Sequence, residues 1–110
     1  TESQVILNGS YDVGIRRDTR IEIVRQIQEA FLTAVNSEVF RAVIEQQRLF
    51  IDIKVGEDAD RRAAELESIT ATMFQELEIP GARSADELEL PEADEFNEWW
   101  PPEDYQPLPL

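Results

Sequence analysis

Apolar residues recur along this chain with two periods, and the change of period marks out its elements. Val24, Ile27, Phe31 and Val35 fall at helical spacing and form one stripe. Ahead of them, Thr19-Arg20-Ile21-Glu22 has the form of a capping box, in which two side chains satisfy the orphan amides of a helix start. A second apolar set, Val39, Phe40, Val43 and Ile44, follows Asn36-Ser37. Asn36-Ser37 reads as a break, but neither Pro nor Gly interrupts 19–48, so one long helix or two shorter ones are both open. A third stripe joins Ala59, Ala63, Leu66, Met73 and Leu77, with Ile69 flanking and Asp58 or Asp60 placed to cap its start.

Elsewhere the period drops to two. Ile51, Ile53 and Val55 alternate with Phe50, Asp52 and Lys54, which predicts a strand over Leu49–Val55 ended by Gly56. Near the N-terminus, Val5 and Leu7 alternate on one side of Asn8-Gly9, and Tyr11, Val13 and Ile15 on the other. Asn-Gly is the favoured pair of a two-residue type I′ turn, so this stretch predicts a short β-hairpin. The rival reading is an arm that pairs with a neighbouring subunit. The fold class expected from these elements is α+β and helix-dominated: an N-terminal hairpin or arm, two or three amphipathic helices and one further strand.

The pattern changes again after Glu78. All six prolines and both tryptophans lie beyond it, and residues 79–110 carry nine acids against the single base Arg83. The chain therefore divides into a small core, 1–78, and an acidic, proline-rich aromatic tail, 79–110. Pro80-Gly81 is a firm stop, Ser84-Ala85-Asp86-Glu87 is a further capping box, and Pro91 suits the first position of a short helix that would carry Phe96, Trp99 and Trp100 and end before Pro101. Pro101-Pro102 and Pro107-Leu108-Pro109 favour extended polyproline II.

Charge narrows the partners. The net charge is -14, from 24 acids and 10 bases. Such a chain repels nucleic-acid phosphates and an anionic membrane surface, and attracts a basic protein surface. No apolar run approaches the roughly 20 residues of a membrane span, and no signal peptide is visible from Thr1 onward. A cytoplasmic setting, or one inside a virus particle, is expected.

Chemistry is limited by what the chain lacks. It has no histidine and no cysteine, so Ser–His–Asp and Cys–His catalysis and zinc sites with nitrogen or sulfur ligands are excluded. Its four glycines stand singly, with no phosphate loop. Asp58-x-Asp60 fails as a calcium loop, because Ala63 and Ile69 stand where a glycine and a bidentate acid are required. No catalytic residue, cofactor or metal is expected.

What remains is the tail. Adjacent tryptophans in an acidic, proline-flanked segment are costly to leave in water, and Trp and Tyr are the usual anchors of interface hot spots. Phe96, Trp99, Trp100, Pro101, Pro102, Tyr105, Leu108 and Leu110 are the candidate partner-binding residues. Their acceptor would be a protein with a basic or aromatic-accepting groove. The bland alternative is that the tryptophans fold back to cap this protein's own core. Three amphipathic segments also exceed what a 78-residue body can cover, so a homo-oligomer or larger assembly is expected. These features suit a non-enzymatic structural or assembly protein, such as a small virion or connector subunit, docking through its C-terminal tail. Two alternatives stand beside it: an acidic nucleic-acid mimic that inhibits a DNA- or RNA-binding enzyme, and an adaptor of the antitoxin or secretion-chaperone kind.

Overall fold

A computed structural model describes residues 11–110. Its regular elements are α1 (Ile21–Val35), α2 (Glu38–Gln46), α3 (Gly56–Glu76), a 3₁₀ turn over Ala93–Glu95 and the single-turn α4 (Phe96–Trp99). Among the described residues there is no strand, so the α+β expectation is corrected to an all-helical architecture. The chain forms two units: one includes Glu57–Gln106, and the other comprises Asp12–Gly56 with Pro107–Leu110.

In the second of these, α1 and α2 are separated where Asn36-Ser37 predicts a break. Asn36 Nδ2 donates to the Leu32 carbonyl at 2.8 Å, and Ser37 Oγ donates to the Ala34 carbonyl at 2.7 Å. Ser37 Oγ also accepts from the Phe40 amide at 3.2 Å. Two short polar side chains thus satisfy the last carbonyls of one helix and a first amide of the next, which settles two helices over one. Arg41 ties α2 back to the joint through Asn36 Oδ1. The stripe of α1 supplies the buried Val24 and Val35, with Ile27 and Phe31 half-buried, whereas α2 has no buried residue. Arg25 Nη2 donates to the Pro109 carbonyl at 2.8 Å and anchors the chain end to α1.

Two caps differ from expectation. The N-cap of α1 is Arg20, without a side-chain bond. The Thr19 amide, which Glu22 would have to reach in a capping box, already donates to the Arg16 carbonyl. Likewise α3 begins at Gly56, ahead of both Asp58 and Asp60. Glu57 and Asp58 then lie in its first turn, where a helix dipole favours anions, rather than capping it.

The expected strand over Leu49–Val55 is irregular chain. Alternation specifies which side chains share a face, but a strand persists only when its backbone groups meet a partner ladder. No such ladder exists among the described residues, and Phe50 is 98% exposed. The start of the expected hairpin, Val5 to Gly9, lies outside the described residues. Tyr11, Val13 and Ile15 on its return side are exposed and in no strand.

Three segments end alike. After α2, the Leu49 amide donates to the Ile44 carbonyl and the Arg48 amide to Glu45; after α3, Ile79 donates to Phe74 and Glu78 to Gln75. In the turn after Ser84, Leu90 donates to Ala85 and Glu89 to Asp86. Each is a Schellman arrangement, which needs a left-handed residue at its penultimate position. Arg48, Glu78 and Glu89 take that role with φ of 56°, 52° and 57°.

Candidate partner-docking site

The polar face of α3 organises the 57–106 unit. Ser68, Thr72 and Gln75 are spaced so that they share one side of a helix. Ser68 Oγ donates to the Pro91 carbonyl at 2.7 Å, Thr72 Oγ1 accepts from the Ala93 amide at 3.1 Å, and Gln75 Oε1 accepts from the Ala85 amide at 3.3 Å. Further toward the start of α3, Arg61 bonds Asn97 and Asp60 accepts the Tyr105 hydroxyl at 2.7 Å. The later chain is therefore a strap running antiparallel to α3, held by side chains that supply the partners a neighbouring strand would otherwise provide. Ser84 starts its first turn by accepting from the Glu87 amide, as the second capping-box reading expects of that serine.

Around this strap lies an aromatic cluster. Phe96 is 2% exposed, with ring centroids 5.8 Å from Trp99 and 6.0 Å from Trp100. Trp100 in turn lies 4.7 Å from Tyr105. These spacings match favourable tilted and offset aromatic pairs. The Arg61 guanidinium sits 5.4 Å from the Phe96 ring centroid and adds a cation–π contact. Buried beside Phe96 in the same unit are Ser68, Ile69, Ala71, Ala85 and Pro91.

Of the eight candidate docking residues, the structure brings Phe96, Trp99, Trp100 and Tyr105 together. Phe96 is a core residue. Trp99, Trp100, Pro102 and Tyr105 are half-buried, and Pro101 is exposed. Leu108 and Leu110 belong to the other unit, where Leu108 is half-buried and Leu110 exposed. The short helix expected after Pro91 appears as the 3₁₀ turn and α4, which ends at Trp99 and so carries Phe96 and Trp99 but not Trp100, the extended C-cap residue before Pro101.

Trp99 differs from its neighbours in facing a surface feature. With Asp86, Glu89, Leu90, Pro91, Glu95 and Glu98 it lines an open concavity of about 610 Å³. Sequence reasoning singled out the tryptophan and missed these four acids as a set, because they come from two turns that only the strap brings together. Charge is divided as unevenly as shape. Residues 57–106 carry sixteen acids against three bases, whereas 12–56 carry seven of each and 107–110 none. Among the described residues, no group of three or more acids is placed to hold a metal ion, and no helix is long and apolar enough to cross a membrane.

An indole edged by carboxylates can hold a cationic side chain in two ways at once, by the ring quadrupole and by charge-assisted hydrogen bonds. Comparison of the chain with models of protein families, with curated proteins and with solved structures finds no match.

Proposed function

We propose that this chain is a non-enzymatic assembly or adaptor protein that docks a basic segment of a partner protein on its C-terminal strap. The observation that carries the reading is the open concavity that Trp99 lines together with Asp86, Glu89, Glu95 and Glu98. Arginine is the side chain such a site fits best, since its planar fork pairs with carboxylates and stacks on an aromatic face. The surrounding segment 57–106, with thirteen more acids than bases, steers a cationic partner toward the site before contact.

The test is titration with a short polyarginine peptide, followed through tryptophan emission at low and high salt. Saturable binding that weakens with salt, and is lost when Glu95 and Glu98 are both replaced by Gln, supports the reading. Binding that survives that replacement and Trp99→Ala sinks it.

A second reading draws on the charge division itself. Residues 57–106, with sixteen acids and three bases, offer a nearly pure anionic surface, as a mimic of nucleic acid would. The arginines interleaved along 16–48 belong to the other unit and do not dilute it. This reading requires competition with duplex DNA or RNA for a nucleic-acid-binding enzyme, whereas an adaptor leaves nucleic-acid binding by its partner intact.

A further inference from the structure

The residues that line the Trp99 concavity come from two turns of the strap. The turn after Ser84 carries Asp86 and Glu89, and the 3₁₀ turn with α4 carries Glu95, Glu98 and Trp99, while Pro91 lies between the two in sequence. Three side chains on one face of α3 hold the backbone of both. Gln75 Oε1 accepts from the Ala85 amide, next to Asp86; Ser68 Oγ donates to the carbonyl of Pro91 itself; Thr72 Oγ1 accepts from the Ala93 amide, two residues before Glu95. None of these three α3 residues lines the concavity.

Thr72 has the most direct hold. The first amides of a helical turn find no acceptor within that turn. Glu92 stands at the N-cap of Ala93–Glu95 but makes no side-chain cap bond. Its carboxylate accepts from Gln75 Nε2 instead, at 3.5 Å. Thr72 supplies the missing acceptor from another element, 21 residues earlier in the chain. The turn it caps runs straight into α4, so one hydroxyl fixes the start of the segment that bears Glu95, Glu98 and Trp99. Charge makes such a hold necessary. Asp86, Glu89, Glu95 and Glu98 carry like charge around one concavity, and their repulsion favours moving the two turns apart. The one base of residues 79–110, Arg83, does not line it.

We propose, on the strength of the docking reading above, that Ser68, Thr72 and Gln75 are the positioning residues of the concavity, and that Thr72 sets its affinity for a cationic side chain without touching it. Holding both turns in place before contact removes an ordering cost from binding, which is how preorganisation raises affinity. The dependence is reciprocal: a peptide that binds only the docked strap stabilises the strap on α3.

Three variants of the full chain test this. Thr72→Val keeps the shape of the side chain and removes the acceptor, and Thr72→Ser restores it. Ala63→Gly is the control: it lies at an exposed position of α3, weakens the helix through propensity and removes none of the three bonds. Titration with the polyarginine peptide is expected to show about a tenfold loss of affinity in Thr72→Val. Thr72→Ser stays within about twofold of wild type, because serine offers the same acceptor. Ala63→Gly binds as wild type does. In the free chain, acrylamide quenching of tryptophan emission rises in Thr72→Val and in neither of the others. Wild-type affinity in Thr72→Val overturns the proposal, and so does an equal loss in Ala63→Gly, since affinity then merely follows stability. A wild-type chain that does not bind the peptide, or binds it equally after Glu95 and Glu98 are replaced by Gln, sinks the docking reading instead. Quenching then decides the positioning role alone: a rise confined to Thr72→Val upholds it, and no rise overturns it.

Discussion

Ser68 on α3 donates its hydroxyl hydrogen to the carbonyl oxygen of Pro91 at 2.7 Å, and both residues are buried. The bond spans 23 residues of sequence and joins the longest helix to the strap that follows it. Proline brings no amide of its own, so at this point the chain offers only an acceptor, and the serine hydroxyl meets it.

Ser68→Ala therefore removes a donor and leaves a carbonyl buried without a partner. The expected cost is about 1–3 kcal/mol, more than a typical exposed hydrogen bond contributes. Urea unfolding followed by tryptophan emission reads it directly, because both tryptophans lie in the strap. The midpoint falls while the native spectrum below it is unchanged. A midpoint within error of wild type would mean that the strap does not rest on this bond.

Backbone strain yields a prediction of opposite sign. Arg48, Glu78 and Glu89 hold left-handed conformations that glycine adopts without penalty. Replacing any one by Gly is expected to stabilise the chain by about 0.5–1 kcal/mol, the gain from relieved strain being partly offset by a more flexible unfolded chain. The Glu78 variant gains most, because it also removes an anion next to the negative end of α3. Gly81→Ala serves as the converse control. An added methyl group meets no atom within 4 Å there, yet φ is +82°, so its cost is conformational alone. Differential scanning calorimetry of the four variants should raise three melting temperatures and lower the fourth.

What could be read from the sequence followed from local chemistry. The joint at Asn36-Ser37 was legible because those side chains act on carbonyls and amides within four residues of themselves. The stop after α3 and the short helix at Phe96–Trp99 were legible for a similar reason, from Pro80-Gly81, Pro91 and Pro101. Leu49–Val55 misled because its alternation is a pattern of faces, whereas a strand also needs a partner that sequence alone does not supply. The strap was hidden for another reason. Ser68, Thr72 and Gln75 look like an ordinary solvated helix face, and only the fold reveals that they bond backbone groups 10 to 23 residues away. The same long-range step gathers Asp86, Glu89, Glu95 and Glu98 around Trp99.

Electrostatics within the acidic unit leads to a further expectation. Residues 57–106, with sixteen acids and three bases, work against their own compaction, and two of those bases are in local use. Arg61 lies over Phe96 and bonds Asn97, and Arg62 pairs with Glu65. Moderate sodium chloride should therefore raise the melting temperature by screening the repulsion, before any effect on apolar burial. Arg61→Ala should destabilise more than an exposed charge would, at about 1–2 kcal/mol, since it loses both the ring contact and the bond to Asn97. Thermal melts across a salt series, with and without this substitution, test both statements. A wild-type melting temperature that is flat or falls with salt would show that the acidic surface does not limit stability.

The two aromatic roles in the strap are separable by substitution. Phe96 is almost fully enclosed by Trp99, Trp100 and the Arg61 guanidinium. Phe96→Ala opens a cavity among these groups, and the expected loss is about 3–5 kcal/mol. That is a large share of the stability a chain of this size has, so the strap is expected to detach and both tryptophans to redden and become readily quenched. Tyr105→Phe keeps the ring against Trp100 and removes the bond to Asp60, at about 1 kcal/mol. Trp99 stands apart because it also lines the concavity. Trp99→Ala is expected to reduce polyarginine binding by about tenfold or more, the loss associated with an aromatic anchor, while stability falls less than in Phe96→Ala. Comparing the three variants by urea midpoint and peptide affinity separates support from recognition. If affinity tracks stability across all three, Trp99 is a packing residue and the concavity has no binding role of its own.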